Sequence, residues 1–572
     1  MDRLFLSGLV REIASAVRGC RVRSVRLDAD GGALSIALSG AAGRSELVLH
    51  VRPGTPGLFL REASTIPGSA SPREANLGKL LASSEIVSTE TSELDRVVTI
   101  VLEQTRLSGK KRRRALVFEL VAARNSVFVI DADSSHIVDV ISTSPGGSAR
   151  LVVGDRYRHL VPPPHASAPA RDSQELERRL AEAGGEYDRA TLLFATGWTP
   201  LLVKELLFSF ESDDAKSLSA AFDTLHDRLH ENRPVLYVDP NQAHKVELSP
   251  MTLASRSELK PFPMESFNAA MAEAVRRSAD SERSGTARQR LGASVTRRLK
   301  SLRALTRKLE LQRGKLPEPA ALRRKGETLL AGIGHAERVG AASVRVPDPF
   351  HPEGRPIEIE IDPRFGIADN AERLFRRSRK AERTEVELAR RLEQLQQQTA
   401  YAEGAAVSLE DAVDLGELEA IERELEEQGL IADKSQAAPR RPTRRSGPAT
   451  RLPPRSFRTH RGNVILVGRS ARSNADLTFR LARPDDLWFH ASGIPGSHVV
   501  LKLAGAVEAD EQEIAEAAGY AAHFSKGRND AHVDVMVTAR RHVTKIKGAP
   551  PGLVRVERTR TVRVRPTPPE SA

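Results

Sequence analysis

In a chain with only two tryptophans, Trp488 is followed closely by His490 and His498, and the turn Ile494-Pro495-Gly496-Ser497 separates the two histidines. Imidazoles bind borderline metals, but two of them without a third ligand do not make a zinc site, and Asp485 and Asp486 do not complete one. No metal or other cofactor is therefore expected. Arg469, Lys502, Lys526, Arg528, Arg540, Arg541, Lys545 and Lys547 surround the pair along the chain. Imidazole, guanidinium and ammonium groups near an aromatic ring suit phosphate contact and base stacking better than hydrolysis. The competing reading is that Trp488 and Phe489 fill a core, the default for an isolated aromatic pair. No catalytic constellation accompanies these residues, so the chain reads as a binding protein and not an enzyme.

A second cationic feature lies just upstream. Residues 436–475 hold ten arginines and no lysine, aspartate or glutamate. Such a one-signed block, rich in Pro and Ser, reads as a flexible linker that meets a polyanion. Lys and Arg outnumber Asp and Glu by 87 to 75, giving a net charge of +12 and a pI near 9.9. A high-GC genome would also raise arginine content, but it would not sort the charge into a block. Nucleic acid is the first partner to expect.

The elements that must carry these residues divide the chain. At 572 residues it exceeds one compact core. Leu4, Phe5, Leu9, Ile13 and Val17 recur at spacings of three and four, which predicts a first amphipathic helix. Alternating segments at 33–38, 46–51, 97–102, 115–121 and 126–131 make residues 1–165 an α+β domain on a largely antiparallel sheet. Pro162-Pro163-Pro164 closes it. Residues 172–275 read as a helical domain of the helix-two-turn-helix kind, with Pro200 opening a helix and Trp198 packed among leucines.

Val295, Leu302, Leu309 and Leu316 repeat every seven residues, and Leu374, Ala381, Leu388 and Leu395 do the same. Residues 276–435 are thus expected to be two antiparallel coiled-coil arms joined through a β insert at 343–346 and 357–361. An arm of about 30 residues reaches ~45 Å. Residues 436–455 form the Arg/Pro-rich linker. Residues 456–566 form a second α+β module, with strands at 463–467, 477–481, 499–503, 533–537, 553–556 and 562–564 and a helix at 512–524.

Cys20 is the sole cysteine, so neither a disulfide nor a cysteine zinc site forms within the chain. Charged residues interrupt the N-terminal apolar stretch, and no window approaches the ~18 apolar residues of a membrane span. The expected location is cytoplasmic, with no membrane partner.

The segments GNVILVGRSARSNADLTFRLARPDDLWFHASGIPGSHVVLK and HVTKIKGAPPGLVRV resemble the C-terminal RNA-binding module of the NFACT family. The rest follows in order. MDRLFLSGLVREI resembles the family's opening helix, LDRVV carries its Asp-Arg pair, and RLVVGDRYRHLVPPP resembles the close of its N-terminal domain. LRRKGETLLAGI and IDPRFGIADNAERLFRRSRK resemble its middle coiled-coil region. The resemblance implies a multidomain α+β protein. An N-terminal α+β domain like that of Fpg-type DNA glycosylases precedes a helical domain, a coiled coil with a β insert, and the RNA-binding module.

It further implies a ribosome-associated quality control factor. Such factors bind large ribosomal subunits obstructed by peptidyl-tRNA, recruit tRNA, and extend the stalled nascent chain without mRNA, mainly with alanine. The implied partners are rRNA of the large subunit, tRNA and the peptidyl-tRNA nascent chain. By carry-over, Asp95, Arg96 and Glu119 fall to tRNA. An Asp accepts from a base amino group, and an Arg pairs with phosphate or guanine. Arg469, Trp488, His490, Pro495, Gly496, Ser497, His498, Lys502, Lys545 and Lys547 fall to RNA.

The chain departs from the family pattern in two places. Ala122-Ala123 replaces a Gly-Arg pair, with Arg124-Asn125-Ser126 for His-Ser-Asn, and Leu77-Gly78-Lys79-Leu80-Leu81 replaces Leu-Arg-Lys-His-Leu. Both lie in the tRNA-facing domain, so RNA or ribosome binding without tailing is the alternative. A DNA-binding structural role of the arginine block is a further one. Glycosylase chemistry is not expected, because the chain opens Met1-Asp2-Arg3 and lacks the proline amine nucleophile. A surface adhesin is not expected either, for want of a signal peptide or anchor motif.

Overall fold

The computed structural model describes residues 2–568 apart from 29–31, 53, 55, 64–70, 107, 121–124, 143–149, 163–165, 185–187, 213–216, 241, 433–450 and 504–508. The chain forms two compact units, Met1–Glu282 and Arg283–Ala572.

In the first unit, Asp2 caps the helix Arg3–Val17 by accepting from the amides of Leu4 and Phe5. The three–four spacing buries Phe5, Leu6, Leu9, Ile13 and Val17, each contributing roughly 1.5–3 kcal/mol when taken from water. They pack on an antiparallel sheet of nine strands among the described residues. Its order is Gly57–Glu62, Gly43–His50, Ala33–Gly40, Arg21–Leu27, Glu85–Thr91, Val97–Thr105, Lys111–Glu119, Ser126–Asp131 and Ile137–Ser142. Two meanders are joined where Arg21 pairs with Glu85.

Gly8 of the first helix admits the ring of Phe267, because a Cβ there would lie 2.6 Å from it. Phe5 meets the same ring edge-on at 5.1 Å, and Glu12 accepts from the Phe267 amide at 2.9 Å. The chain's first helix therefore seats the start of its longest, Phe267–Gly314.

Helices Ser173–Glu182, Arg189–Thr196, Pro200–Ser212 and Leu218–His230 enclose a separate core, in which Trp198 stacks on Phe222 at 4.6 Å. Three strands, Val235–Asp239, Gln242–Ser249 and Lys260–Pro263, then form a small antiparallel sheet within the stretch whose periodicity reads as helical. The run Val235-Leu-Tyr-Val238 is β-branched and aromatic and follows Pro234, a strand signal masked by the long helices beside it in sequence. No single helix among the described residues is long and apolar enough to cross a membrane. One bent pair, Arg189–Thr196 with Pro200–Phe210, passes by length and composition, and its buried residues belong to this core.

In the second unit, Leu291, Val295 and Leu302 of the long helix share a core with Leu395, Tyr401, Ala405 and Leu409 of the helix Ile367–Asp411. Leu418, Ile421 and Leu425 of the helix Leu415–Glu427 complete it. The two long helices run antiparallel there: Arg288 donates to the Leu409 carbonyl, and Arg303 pairs with Glu403. Helix Pro319–Ala331 packs on Ile367–Asp411 beside a sheet of Glu337–Arg338, Ser343–Pro347 and Pro356–Glu360.

The C-terminal sheet has the order Arg455–Arg458, Val464–Val467, Val499–Lys502, Leu487–Ala491, Val533–Ala539 and Arg560–Val564. Helix Glu511–His523 covers one face through Phe489, Val499, Val535 and Val537. The other face carries Trp488 and Val500 under the hairpin Val543–Lys545/Val554–Val556 and the segment 471–481. Residues 477–481, expected as a strand, are instead a π-helical turn continuing the helix Ala471–Asp476. Leu477, Phe479 and Leu481 alternate like a strand, but Ser470 caps a helix ahead of them, and the adjacent Leu477 and Thr478 both turn inward while Leu481 is exposed.

Candidate nucleic-acid interface

Strand alternation sends Phe489 to the helix-covered face and places Trp488 and His490 on the other. Trp488 is only 1 % exposed, with its ring 5.0 Å from His498 and parallel to His490 at 5.8 Å. The base-stacking role expected of Trp488 is therefore corrected: its indole is core, and no base can reach it. His498 is buried too. Thr478 Oγ1 lies 2.8 Å from its Nδ1, and its backbone amide donates to Asn474 Oδ1 at 3.1 Å. Burial pushes the His498 imidazole down to about 3, the neighbouring His490 adds to this, and the Gly552 and Asn474 carbonyls oppose it. Burial also lowers His490. Both rings are neutral at neutral pH, so neither offers charge to a phosphate.

The turn between them is fixed from behind. The Lys526 amide donates to the Pro495 carbonyl and the Ser497 amide to the Phe524 carbonyl, each at 2.9 Å. A Cβ on Gly496 would come 2.9 Å from Ser525 Cβ, so the turn needs glycine for this approach. Ser497 is buried and faces inward. His490, His498, Pro495 and Gly496 line an open cleft of about 270 Å³ whose opposite wall is the helix Ile367–Asp411, at Ala400, Gly404 and Ser408.

The arginine block behaves differently in space from its reading in sequence. Arg440, Arg441, Arg444 and Arg445, with most of the 436–455 linker, lie outside the described residues. Of the rest, Arg451 pairs with Asp476 and Arg461 with Asp510. Three more reach the acidic helices: Arg455 to the Asp411 carbonyl at 2.7 Å and to Glu417, Arg469 to Glu417, and Arg472 to Glu427. Arg528 joins Asp411 at 2.8 Å. Glu417 is 2 % exposed. Burial raises Asp411 and Glu424 above the usual carboxylate range, against the pull of these arginines. Arg469, expected on RNA, is thus a tie between the sheet and the helices.

Lys545 and Lys547 are exposed, and Lys502 is half-buried at the end of its strand. The Lys545 ammonium lies 4.9 Å from the Phe479 ring centre and the Arg540 guanidinium 5.3 Å. This aromatic between two cations is the feature expected of Trp488, displaced onto the π-helical turn.

In the first unit, Asp95 and Arg96 occupy the turn between strands Glu85–Thr91 and Val97–Thr105, where Ser92 Oγ accepts from the amides of Leu94 and Asp95. The Arg3 guanidinium donates to the carbonyls of Glu93, Ser167 and Gly197, tying this turn to the helical layer. A cleft of about 560 Å³ results, lined by Asp2, Arg3, Asp95, Arg96, Trp198 and Thr199. Burial raises Asp2, which is bonded to Thr199. Glu119 does not line this cleft. It is 2 % exposed, paired with Arg150 at 2.7 Å and accepting from Tyr157 Oη at 2.9 Å, so its expected tRNA contact is corrected to an internal one. The variant residues 121–124 lie outside the described residues.

Residues 2–444 match the model of the NFACT N-terminal and middle domains, and residues 454–557 that of the NFACT protein RNA binding domain. The chain belongs to the NFACT family. It is similar to the Rqc2 homolog RqcH of Bacillus subtilis, 25% identical over 575 residues covering 99% of this chain and 98% of that one. The Rqc2 homolog RqcH of Streptococcus suis is 24% identical over 589 residues with the same coverage. Among solved structures it resembles the C-terminal part of the fibronectin/fibrinogen-binding protein from Streptococcus suis. There the identity is 25% and the TM-score 0.38, over 50% of this chain and 96% of that one. The N-terminal part of that protein gives 16% identity and a TM-score of 0.39, over 48% and 99%.

The NFACT RNA-binding domain thus presents its His-Pro-Gly-His segment to a helix of the NFACT middle region. Sequence reading missed the residues that build the cleft around it: Asn474 on the helix Ala471–Asp476, Thr478 on the misassigned segment that continues it, Gly552 in the Pro-Pro-Gly loop, and Gly404 on the long helix. The Ser470 cap was the one local signal for the first two.

Proposed function

We propose that this NFACT protein is a ribosome-associated quality control factor. Its RNA-binding domain engages rRNA of obstructed large subunits, and its first unit engages tRNA through Asp95 and Arg96. It promotes mRNA-independent, alanine-type tailing of the stalled chain held as peptidyl-tRNA. The observation that carries this reading is the end-to-end similarity to the RqcH proteins, together with the match of residues 454–557 to the NFACT RNA binding domain. The cleft at Asp95 and Arg96 supports the tRNA assignment. It is a recess between two layers whose lining includes the carboxylates of Asp2 and Asp95 and the guanidiniums of Arg3 and Arg96.

The test is to recover the protein from lysate and sequence the RNA that accompanies it, wild type against Asp95→Ala/Arg96→Ala. Large-subunit rRNA with both proteins, but tRNA and C-terminal tails on a stalled reporter only with wild type, is the expected result. Loss of rRNA with retained tRNA in the double variant would overturn the assignment. A second reading, ribosome binding without tailing, draws on the altered residues 78–80 and 122–126, and absence of tails in the wild type would select it.

A further inference from the structure

We propose that the cleft between the helix Ile367–Asp411 and the RNA-binding domain holds a single unpaired nucleobase of the bound RNA. This deepens the RNA-binding reading above and rests on it. The cleft, at about 270 Å³, is smaller than the pockets of roughly 300–1,000 Å³ that take drug-sized ligands. It admits one ring system and excludes a duplex.

Its lining decides what kind of ring. No lysine or arginine contributes, and Glu403 does, so a phosphate would enter without a counter-charge. His490 and His498 are neutral, and Ile494, Pro495, Met536, Pro551 and Leu553 supply apolar contact. Flat imidazoles with apolar loops and a few polar edges match an unstacked base, which carries donors and acceptors on its rim and π faces above and below. The charge for the backbone lies at the cleft's margin. The Lys526 amide holds the Pro495 carbonyl while its own side chain is exposed.

The walls are also held before any ligand arrives. Trp488 backs His490 in parallel, Thr478 and Asn474 fix His498, and the Gly496–Ser525 bridge fixes the turn. On the facing helix, Ala400, Gly404 and Ser408 follow one another at intervals of four and keep that wall low. A Cβ at Gly404 would meet nothing within 4 Å.

That glycine provides the test. Gly404→Phe fills the cleft from the helix side without changing any residue of the RNA-binding domain, and phenylalanine is a better helix former than glycine. Gly404→Ser, which stays small, is the control. Affinities of the full chain are measured by fluorescence anisotropy for two RNA hairpins, identical but for one bulged nucleotide. Stacking of one base predicts roughly a tenfold preference of wild type for the bulged hairpin. Gly404→Phe should lose that preference with unchanged affinity for the paired hairpin and an unchanged melting profile, whereas Gly404→Ser should keep it. A preference retained by Gly404→Phe, or absent from a wild type that binds both hairpins, overturns the base pocket alone. A wild type that binds neither hairpin overturns the RNA-binding reading and the pocket with it.

Discussion

Mild acid should weaken the C-terminal sheet in a way set by the histidines it packs away from water. His498 titrates at about 3 in the folded chain and at 6.5 when free of its surroundings. Between those values the unfolded chain binds one proton more than the folded chain. The stabilisation is therefore fully present above the unfolded value and is lost as pH falls toward the folded one, at about 1.4 kcal/mol per pH unit. From about pH 7.5 to about pH 5 the loss from His498 is about 2 kcal/mol. His490 and His523, also lowered by burial, act in the same direction. Asp411 and Glu424, raised by burial, act in the opposite one where the helices meet the sheet. His498→Asn isolates the contribution, since both carboxylates remain. In a Trp198→Phe background Trp488 is the only tryptophan, and it lies within ring contact of both histidines. Urea unfolding followed by its emission should show a wild type weaker by about 2 kcal/mol at the lower pH. His498→Asn should be weaker at the higher pH but less pH-dependent. Equal pH dependence in the two proteins would refute the argument.

Further outcomes follow from the same contacts. Breaking the Glu417–Arg469 tie on one side, as Glu417→Gln, should cost about 1.5–3 kcal/mol in urea unfolding, because it removes the charge-assisted contacts that the buried carboxylate makes to the half-buried Arg469 and Arg455. Adding Arg469→Gln should recover part of that loss in a double-mutant cycle. Trp488→Ala should cost about 3–5 kcal/mol of stability, and Trp488→Phe should leave RNA affinity unchanged, as a core residue requires. Lys545→Glu with Lys547→Glu should flatten the dependence of log affinity on log salt by about one for each phosphate contact removed, read by anisotropy at several salt concentrations.

The sequence displayed the parts whose periodicity is long or whose alternation has one dry face. The first helix, the heptad leucines of the middle region and the strand 97–105 are legible for that reason. Strands Arg21–Leu27 and Glu85–Thr91 are not, because their burial is sparse and most of their remaining positions are charged or hydroxyl-bearing. Residues 477–481 mislead because five residues cannot separate a two-fold period from a helical one. At the candidate site, the His-Pro-Gly-His segment stands out in sequence, but its environment does not. Trp488 and Arg469 look alike as exposed ligands of RNA until the strand register buries one and Glu417, 52 residues upstream, claims the other. Charge pairing between distant segments leaves no local trace, so a block of one sign in the chain need not be a patch of one sign on the surface.

The ties from Arg455, Arg469, Arg472 and Arg528 to the acidic helices bear on how the protein can be taken apart. A fragment starting near residue 456 would cut the edge strand Arg455–Arg458 and leave Asp411, Glu417 and Glu427 behind. The excised piece would keep Arg469, Arg472 and Arg528 without their carboxylates. It would attract polyanions through guanidiniums that the intact chain keeps occupied, and it would lack one wall of the cleft. Tight but indiscriminate RNA binding by such a fragment would describe the cut surface and not the protein. Dissection that preserves the native charge balance has to carry residues 411–427 along with the sheet.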